Sequence, residues 1–424
     1  MTSTLARPLP NVVLPEESQT TGDVGPVGAT FQQVGVRSGV GVGQRGEPVP
    51  IAEHRAVAAG SLDLMVFAQP VGLVTGVVVD GRVRLDRHNG TGRGGVFADH
   101  QVVLGRQGGG STRHVLPTAD PVLILALDAP FLGIPPLLAP ETLPNLVLVP
   151  RSTARIHAPT DRERIAWESY GLLTAAEHGS TIATISQFMH THLGREYHIP
   201  DHALRGLPDG LSPSDWQLSL PADLPEPASA GFLFSMGRAV PYKGFDDLLD
   251  ALTVLRAQGT AVPHLVLAAV TDHPEPGDYQ HQLARTIARR CLDVTLLTRF
   301  DPDIRCMLVH PALAAVVVPS RAEPFGRVPL ESYAAGAAPV IATTAGGLAE
   351  QVVDGRTGFS AAPNNPVSLA AAIRRGLALT PAGRDRMRDR GRQFAAAHHD
   401  HPQAVRIFLG QVAPWLTTSV SQST

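Results

Sequence analysis

Lysine is almost missing from this chain of 424 residues: arginine supplies 34 of the 35 basic side chains, and the one lysine is Lys243. Charged residues make up 17% and the net charge is −3, so no strong positive field is available to hold nucleic acid or an acidic membrane surface. Only two cysteines occur, Cys291 and Cys306, without metal-ligand spacing, which reads as two buried thiols in a reducing compartment. No apolar run approaches the roughly 18 residues of a membrane span. The first residues lack a basic stretch followed by an apolar core, and the expectation is a cytoplasmic protein. Aromatics are scarce as well, at 5%. The arginine-rich stretch 374–392 has no stacking platform for bases and is interrupted by Asp385 and Asp389, so it reads as a solvated helix face.

What is present falls into two parts. Residues 1–28 are polar and aperiodic, a tail by composition. Residues 31–116 are glycine-rich, and within them Asp80-Gly81 lies between alternating runs over 77–85, a hairpin signal. Gly41, Gly43 and Gly46 match the spacing of a dinucleotide loop, but Pro48 and Pro50 follow where a helix would have to begin, so that function is declined. The glycine clusters at 92–95 and 108–110 read as loops. From residue 121 an α/β rhythm sets in, with strands over 122–127, 146–149 and 181–185 and a helix over 160–177. Polar residues 151–157 follow the second strand, where a parallel sheet opens its ligand crevice. His157 is placed there to meet a sugar hydroxyl or acceptor, and Arg155 to approach a phosphate.

Ser186 caps the next helix, and the Pro- and Ser-rich segment 211–230 reads as a linker. Beyond it, strands over 232–236, 264–269, 293–297, 314–318 and 339–342 alternate with helices over 244–258, 278–291, 302–309, 328–336 and 366–379, a doubly wound parallel sheet. A last helix covers 403–416. The run His398-His399-Asp400-His401 places its side chains too close along the chain to converge on one metal ion.

The stretch 319–331 carries most of the chemistry. Glu323 falls on a strand-to-helix loop and Glu331 inside the helix, with Pro329 tolerated in the first turn. Eight helical residues separate carboxylates by roughly 12 Å, too far to flank one scissile bond as in a glycosidase. Phe325 and Gly326 are expected to begin the helix, whose free N–H groups favour an anion. Hydroxyls at both ends with an anion between them describe a nucleotide sugar.

The pair Glu323 and Glu331 within Glu-Pro-Phe-Gly-Arg-Val-Pro-Leu-Glu resembles the signature of retaining glycosyltransferases of family 4. Ser235-Met236-Gly237-Arg238 with Lys243-Gly244-Phe245, and Thr344-Ala345-Gly346-Gly347-Leu348-Ala349-Glu350 with Asp354-Gly355, are similar to its other motifs, in the same order. The resemblance covers about 181–380 well and fades before about 120. It implies an α/β GT-B fold, two Rossmann-like doubly wound domains facing across a cleft. The acceptor domain would span 29–210, the linker 211–230 and the donor domain 231–400, with 401–424 crossing back to the first domain. By resemblance, Arg238 and Lys243 hold the diphosphate, Glu323 the sugar hydroxyls, Glu331 the ribose, and Gly237, Phe325 and Gly326 line the donor site. His157 is the acceptor-domain contribution. A nucleoside-diphosphate sugar, UDP- or GDP-linked, is implied as co-substrate, with no cofactor and no metal. The implied reaction is transfer with retention to a small acceptor, such as a bacterial secondary metabolite or antibiotic. The alternative is a catalytically silent nucleotide-sugar-binding partner, motivated by the unusual start of the first domain.

Overall fold

The computed structural model describes residues 122–415, apart from 221–223, 272 and 274, and four strands between residues 62 and 103. The tail over 1–28, the glycine pattern from Gly41 to Gly46 and the clusters at 92–95 and 108–110 lie outside the described residues.

The first sheet has eight strands. β1 (Leu62–Ala68), β2 (Gly72–Val79), β3 (Arg82–Arg87) and β4 (Val102–Val103) form an antiparallel meander. Val79 pairs with Arg82, leaving Asp80 and Gly81 as the two-residue connection the sequence signals. β1 also pairs antiparallel with β5 (Val122–Leu127). From there β6 (Leu146–Val149), β7 (Thr181–Thr184) and β8 (Leu204–Gly206) continue in parallel. This sheet is therefore mixed, with its Rossmann-like half beginning at β5. Between β6 and β7 lie the one-turn α1 (Ala154–His157) and α2 (Arg162–Glu177), and α3 (Gln187–Glu196) follows β7. Ser186 caps α3 by accepting from the Met189 N–H at 3.0 Å.

The second sheet is wholly parallel, in the order β11-β10-β9-β12-β13-β14. Its strands are β9 (Phe232–Arg238), β10 (His264–Thr271), β11 (Val294–Arg299), β12 (Leu313–Val318), β13 (Val340–Thr343) and β14 (Gly358–Ala361). Apolar residues pointing to both faces of β9 and β12 are buried, because helices cover each side. Those helices are α4 (Phe245–Ala257), α5 (Asp278–Arg290), α6 (Val328–Ala335), α7 (Leu348–Gln351) and α8 (Pro366–Leu377). The segment Pro302–Val309 is 3-10 rather than α-helical. The chain winds outward from β9 to β11 and then returns to lay β12 against β9. That reversal leaves a crevice outside the carboxyl ends of β9 and β12.

α9 (Pro381–His398) and α10 (His401–Val412) close the chain. Three arginines of α9 correct the reading of a solvated face. Arg384, Arg388 and Arg392, four residues apart, donate to the carbonyls of Ala314, Gly336 and Ala334 at 2.6, 2.8 and 2.9 Å. Two of those carbonyls end α6, where the helix has no acceptor partners of its own. The histidine run is likewise used locally: His399 packs its ring on Phe325 and Phe394, while Asp400 accepts from Gln403 N–H at the start of α10. The linker is tied to this junction, with Leu211 N–H donating to His399 and His401 N–H to Leu211. Cys291, expected to be buried, is exposed because it ends α5 in a left-handed conformation at φ 48°.

Candidate active site

Three loops leave the carboxyl ends of β9, β12 and β13 and are laced together. Gly244 sits at φ 67°, and a Cβ there would lie 2.1 Å from the carbonyl oxygen of Pro319, so glycine is what lets the β9 loop meet the β12 exit. The Tyr242 carbonyl accepts from Arg321 N–H at 2.7 Å, and the Arg321 guanidinium donates to Asp246 and Asp247 on α4. From the β13 side, Gly347 N–H donates to the Glu323 carbonyl at 2.9 Å. The motif residues, scattered over 110 positions in the chain, thus share one rim.

On that rim Lys243 Nζ donates to Glu323 Oε2 at 2.5 Å, and Ser320 Oγ reaches the same oxygen at 3.2 Å. Arg238, exposed at the end of β9, donates to the Tyr242 hydroxyl at 2.7 Å. Gly237 precedes it, its Cα face against Phe245 and the Lys243 stem. From the first domain, the His157 imidazole stacks on the Tyr242 ring with centroids 4.1 Å apart and planes 21° apart. Burial lowers His157 to about 4, opposed by the charge of Glu323 and reinforced by Arg238 and Lys243. The stack on Tyr242, the residue before Lys243, is what sets His157 against this rim. The His157 Nδ1 is buried with no hydrogen-bond partner among the described residues.

Glu331 lies elsewhere in the ionic pattern. It is nearly buried on α6, accepts from Arg327 Nε at 3.2 Å and has Arg305 Nε at 3.6 Å. Phe325 and Gly326 do not begin the helix, which starts at Val328 with Pro329 in its first turn. Gly326 at φ 86° turns the chain away from helical geometry, the Phe325 ring is buried against His399, and its carbonyl accepts from Gln351 Nε2 at 2.7 Å. Arg155 is also redirected. It lies 5.4 Å over the Tyr197 ring and 3.9 Å from Glu196, on the outer side of α1.

One turn of helix does not hold itself, and α1 is fastened from behind. Glu168, with 0% exposure, accepts from the Ala154 N–H at 2.8 Å, the Tyr197 hydroxyl at 2.6 Å and Arg164 Nε at 2.9 Å. Thr153 Oγ1 and His192 Nε2 share a further bond of 2.8 Å. These residues present His157 to the cleft, and a carboxylate in an ordinary amphipathic helix gave no sign of it.

Between the domains runs an ionic chain that sequence reasoning also missed. Arg151 pairs with Asp209, and Arg327 donates to the Gly210 carbonyl at 2.7 Å and to Asp215 at 3.0 Å. Arg305 reaches Asp215 at 2.7 Å. Burial acts to raise Asp215, but hydrogen bonds from Ser212 and Arg305 and the charge of Arg327 prevail and bring it down to about 2. Nearby, Ser186 Oγ donates to the Pro324 carbonyl at 2.7 Å, and the Glu350 carboxylate accepts from the Gln187 and Phe188 N–H groups at 3.0 and 2.7 Å. Glu350 belongs to a quoted motif, which was the available signal.

Residues 219–394 match the family model described as glycosyl transferases group 1. That match takes in most of the second domain, which is similar to glycosyl transferases group 1. A glycogen synthase of Mycobacterium tuberculosis is 35% identical over 167 residues, covering 39% of this chain and 38% of that protein. A D-inositol 3-phosphate glycosyltransferase of Streptomyces avermitilis is 34% identical over 170 residues, 39% of this chain and 36% of that protein. The chain thus spans a little over a third of the length of the curated relatives it matches. Sucrose-phosphate synthase from Thermosynechococcus elongatus is similar in structure at a TM-score of 0.52 and 24% identity, over 65% of this chain and 68% of that one. The fold is the two-domain α/β arrangement of GT-B glycosyltransferases. Among the described residues, no helix is long and apolar enough to cross a membrane.

Proposed function

We propose that this protein transfers a sugar from a nucleoside-diphosphate sugar, UDP- or GDP-linked, to a hydroxyl of a small acceptor, with retention of anomeric configuration. The observation that carries this reading is the meeting of Arg238, Lys243 and Glu323 at one rim with His157 facing them from the other domain.

Lys243 and Glu323 neutralise one another in an ion pair. An arriving donor separates them: the ammonium turns to the diphosphate, where Arg238 adds a planar fork, and the carboxylate accepts from the sugar hydroxyls. Glu331, in contact with Arg327 and Arg305, accepts from the ribose hydroxyls. Both cations act on charge that grows as the bond from the anomeric carbon to the β-phosphate oxygen breaks. The acceptor oxygen attacks from the face the diphosphate leaves, and its proton passes to a departing phosphate oxygen. His157, neutral at pH 7, offers a buried nitrogen to a sugar or acceptor hydroxyl. Neutralisation by arginine and lysine makes a metal ion dispensable in this reading. The relatives match over about two fifths of the chain, so the acceptors in their names do not carry over; a small secondary metabolite is proposed here.

The test is release of nucleotide from UDP-glucose and GDP-mannose with candidate acceptors, with and without chelator. Release that survives chelation, with the new linkage keeping the donor's anomeric configuration by NMR, is expected. Binding without release or transfer from either donor would favour a silent partner, and loss of turnover on chelation restored by magnesium would overturn metal independence.

A further inference from the structure

Tyr242 joins the two halves of the site and belongs to none of the roles above. Its hydroxyl, 2.7 Å from an Arg238 guanidinium nitrogen, is the one side-chain hydrogen-bond partner of Arg238 among the described residues. Without it, an exposed arginine at a strand end would sample many rotamers, and fixing one costs entropy when a ligand binds. The Tyr242 ring meanwhile meets His157 face to face across the domain boundary. Its backbone is held too, since the Tyr242 carbonyl accepts from Arg321 N–H at 2.7 Å, two residues before Glu323. Burial raises the Tyr242 hydroxyl above its ordinary value, so it stays protonated. The Nδ1 of the stacked His157 is buried and has no hydrogen-bond partner among the described residues.

We propose that Tyr242 is a positioning residue with two separable functions: its hydroxyl preorganises Arg238 for the diphosphate, and its ring docks on His157 to shut water out of the sugar position. This deepens the donor-site reading and rests on it. An open site lets water take the acceptor's place: its oxygen bonds to the anomeric carbon as the bond to the β-phosphate oxygen breaks, giving free sugar and nucleoside diphosphate, with the water's proton going to the released phosphate. Closing the stack suppresses that loss. The two functions lie on different atoms of one side chain, which makes them testable apart.

Affinity is measured by calorimetry for whichever of UDP, GDP, ADP and dTDP the wild type binds, and acceptor-independent hydrolysis with the matching glucose or mannose donor. Tyr242→Phe keeps the ring and is expected to weaken the nucleoside diphosphate about fivefold without raising hydrolysis above wild type. Tyr242→Ala should show the same loss of affinity and raise hydrolysis per bound donor at least about threefold. His157→Ala should raise hydrolysis without weakening the diphosphate. Diphosphate binding unchanged in Tyr242→Phe would overturn the first function, and hydrolysis unchanged in both Tyr242→Ala and His157→Ala would overturn the second. A wild type that binds none of the four nucleotides removes the donor site itself, and both readings fall together.

Discussion

The two halves of the molecule build their parts of the site in opposite ways. In the second domain, charged groups gather at a topological switch point, Arg238 exposed and Lys243 and Glu323 paired with 16% and 11% of their side chains exposed, on loops held by Gly244, Arg321 and the Glu323 carbonyl. In the first domain the group offered to the cleft is neutral and desolvated, while the charge sits behind it as a buried glutamate that never meets a ligand. One half recognises by field and the other by placement. Mutation should therefore act on ligand chemistry in the second domain and on fold in the first.

The largest expected effect tests that contrast on the donor side. Lys243→Ala should lower turnover of the nucleotide sugar by about a hundredfold to a thousandfold, read as nucleotide release, with the urea midpoint little changed. Retention of activity within threefold would move the reacting centre away from this rim. On the other side, Glu168→Ala strands the Ala154 N–H and the Tyr197 hydroxyl and leaves Arg164 unpaired. It should cost about 3 kcal/mol of unfolding free energy by urea titration, and less than 0.5 kcal/mol, about the scale of a surface change, would mean that α1 has other anchors.

Smaller still is Gly244→Ala. The left-handed conformation and the approach of Pro319 should together cost about 2 kcal/mol, measured as a shift in thermal midpoint, and donor affinity should fall with it because Lys243 is the next residue. The mildest effect concerns His157. With its folded value lowered to about 4 from an unfolded value near 6.5, the unfolded chain binds more protons between those limits, so stability rises with pH across that window and is flat above it. NMR titration should give a midpoint near 4, and His157→Phe should remove the slope between those limits. A midpoint near 6.5 would mean that the stack on Tyr242 does not persist in solution.

Legibility followed the same division. Strands β9, β10, β12 and β13 could be read from sequence to within two residues because parallel strands buried on both faces appear as short apolar runs. Lys243 stood out because the rest of the chain had discarded lysine, and Glu323 and Glu331 because of their fixed interval. The helix over 328–336 was read correctly at its start, but Phe325 and Gly326 were also expected to open it, since nothing local says that Gly326 takes φ 86°. Ionic links such as Arg151 to Asp209 and Arg327 to Asp215 join residues 58 and 112 positions apart, and no periodicity encodes such pairs. The arginines of α9 show the same limit: their charge suggests solvent, yet three of them find backbone carbonyls, two at the end of α6 and one on β12. In the first domain the two-residue hairpin was readable from Asp80-Gly81, but the mixed sheet around it depends on the pairing of β1 with β5, which no local signal announces.

Calorimetric titration of UDP, GDP, ADP and dTDP into wild type, Lys243→Ala and Glu331→Gln tests the central claim most directly. The account predicts that one nucleotide binds the wild type, that Lys243→Ala weakens it through the diphosphate and that Glu331→Gln weakens it through the ribose. A folded wild type that binds none of the four, or binding that both substitutions leave intact, would contradict it.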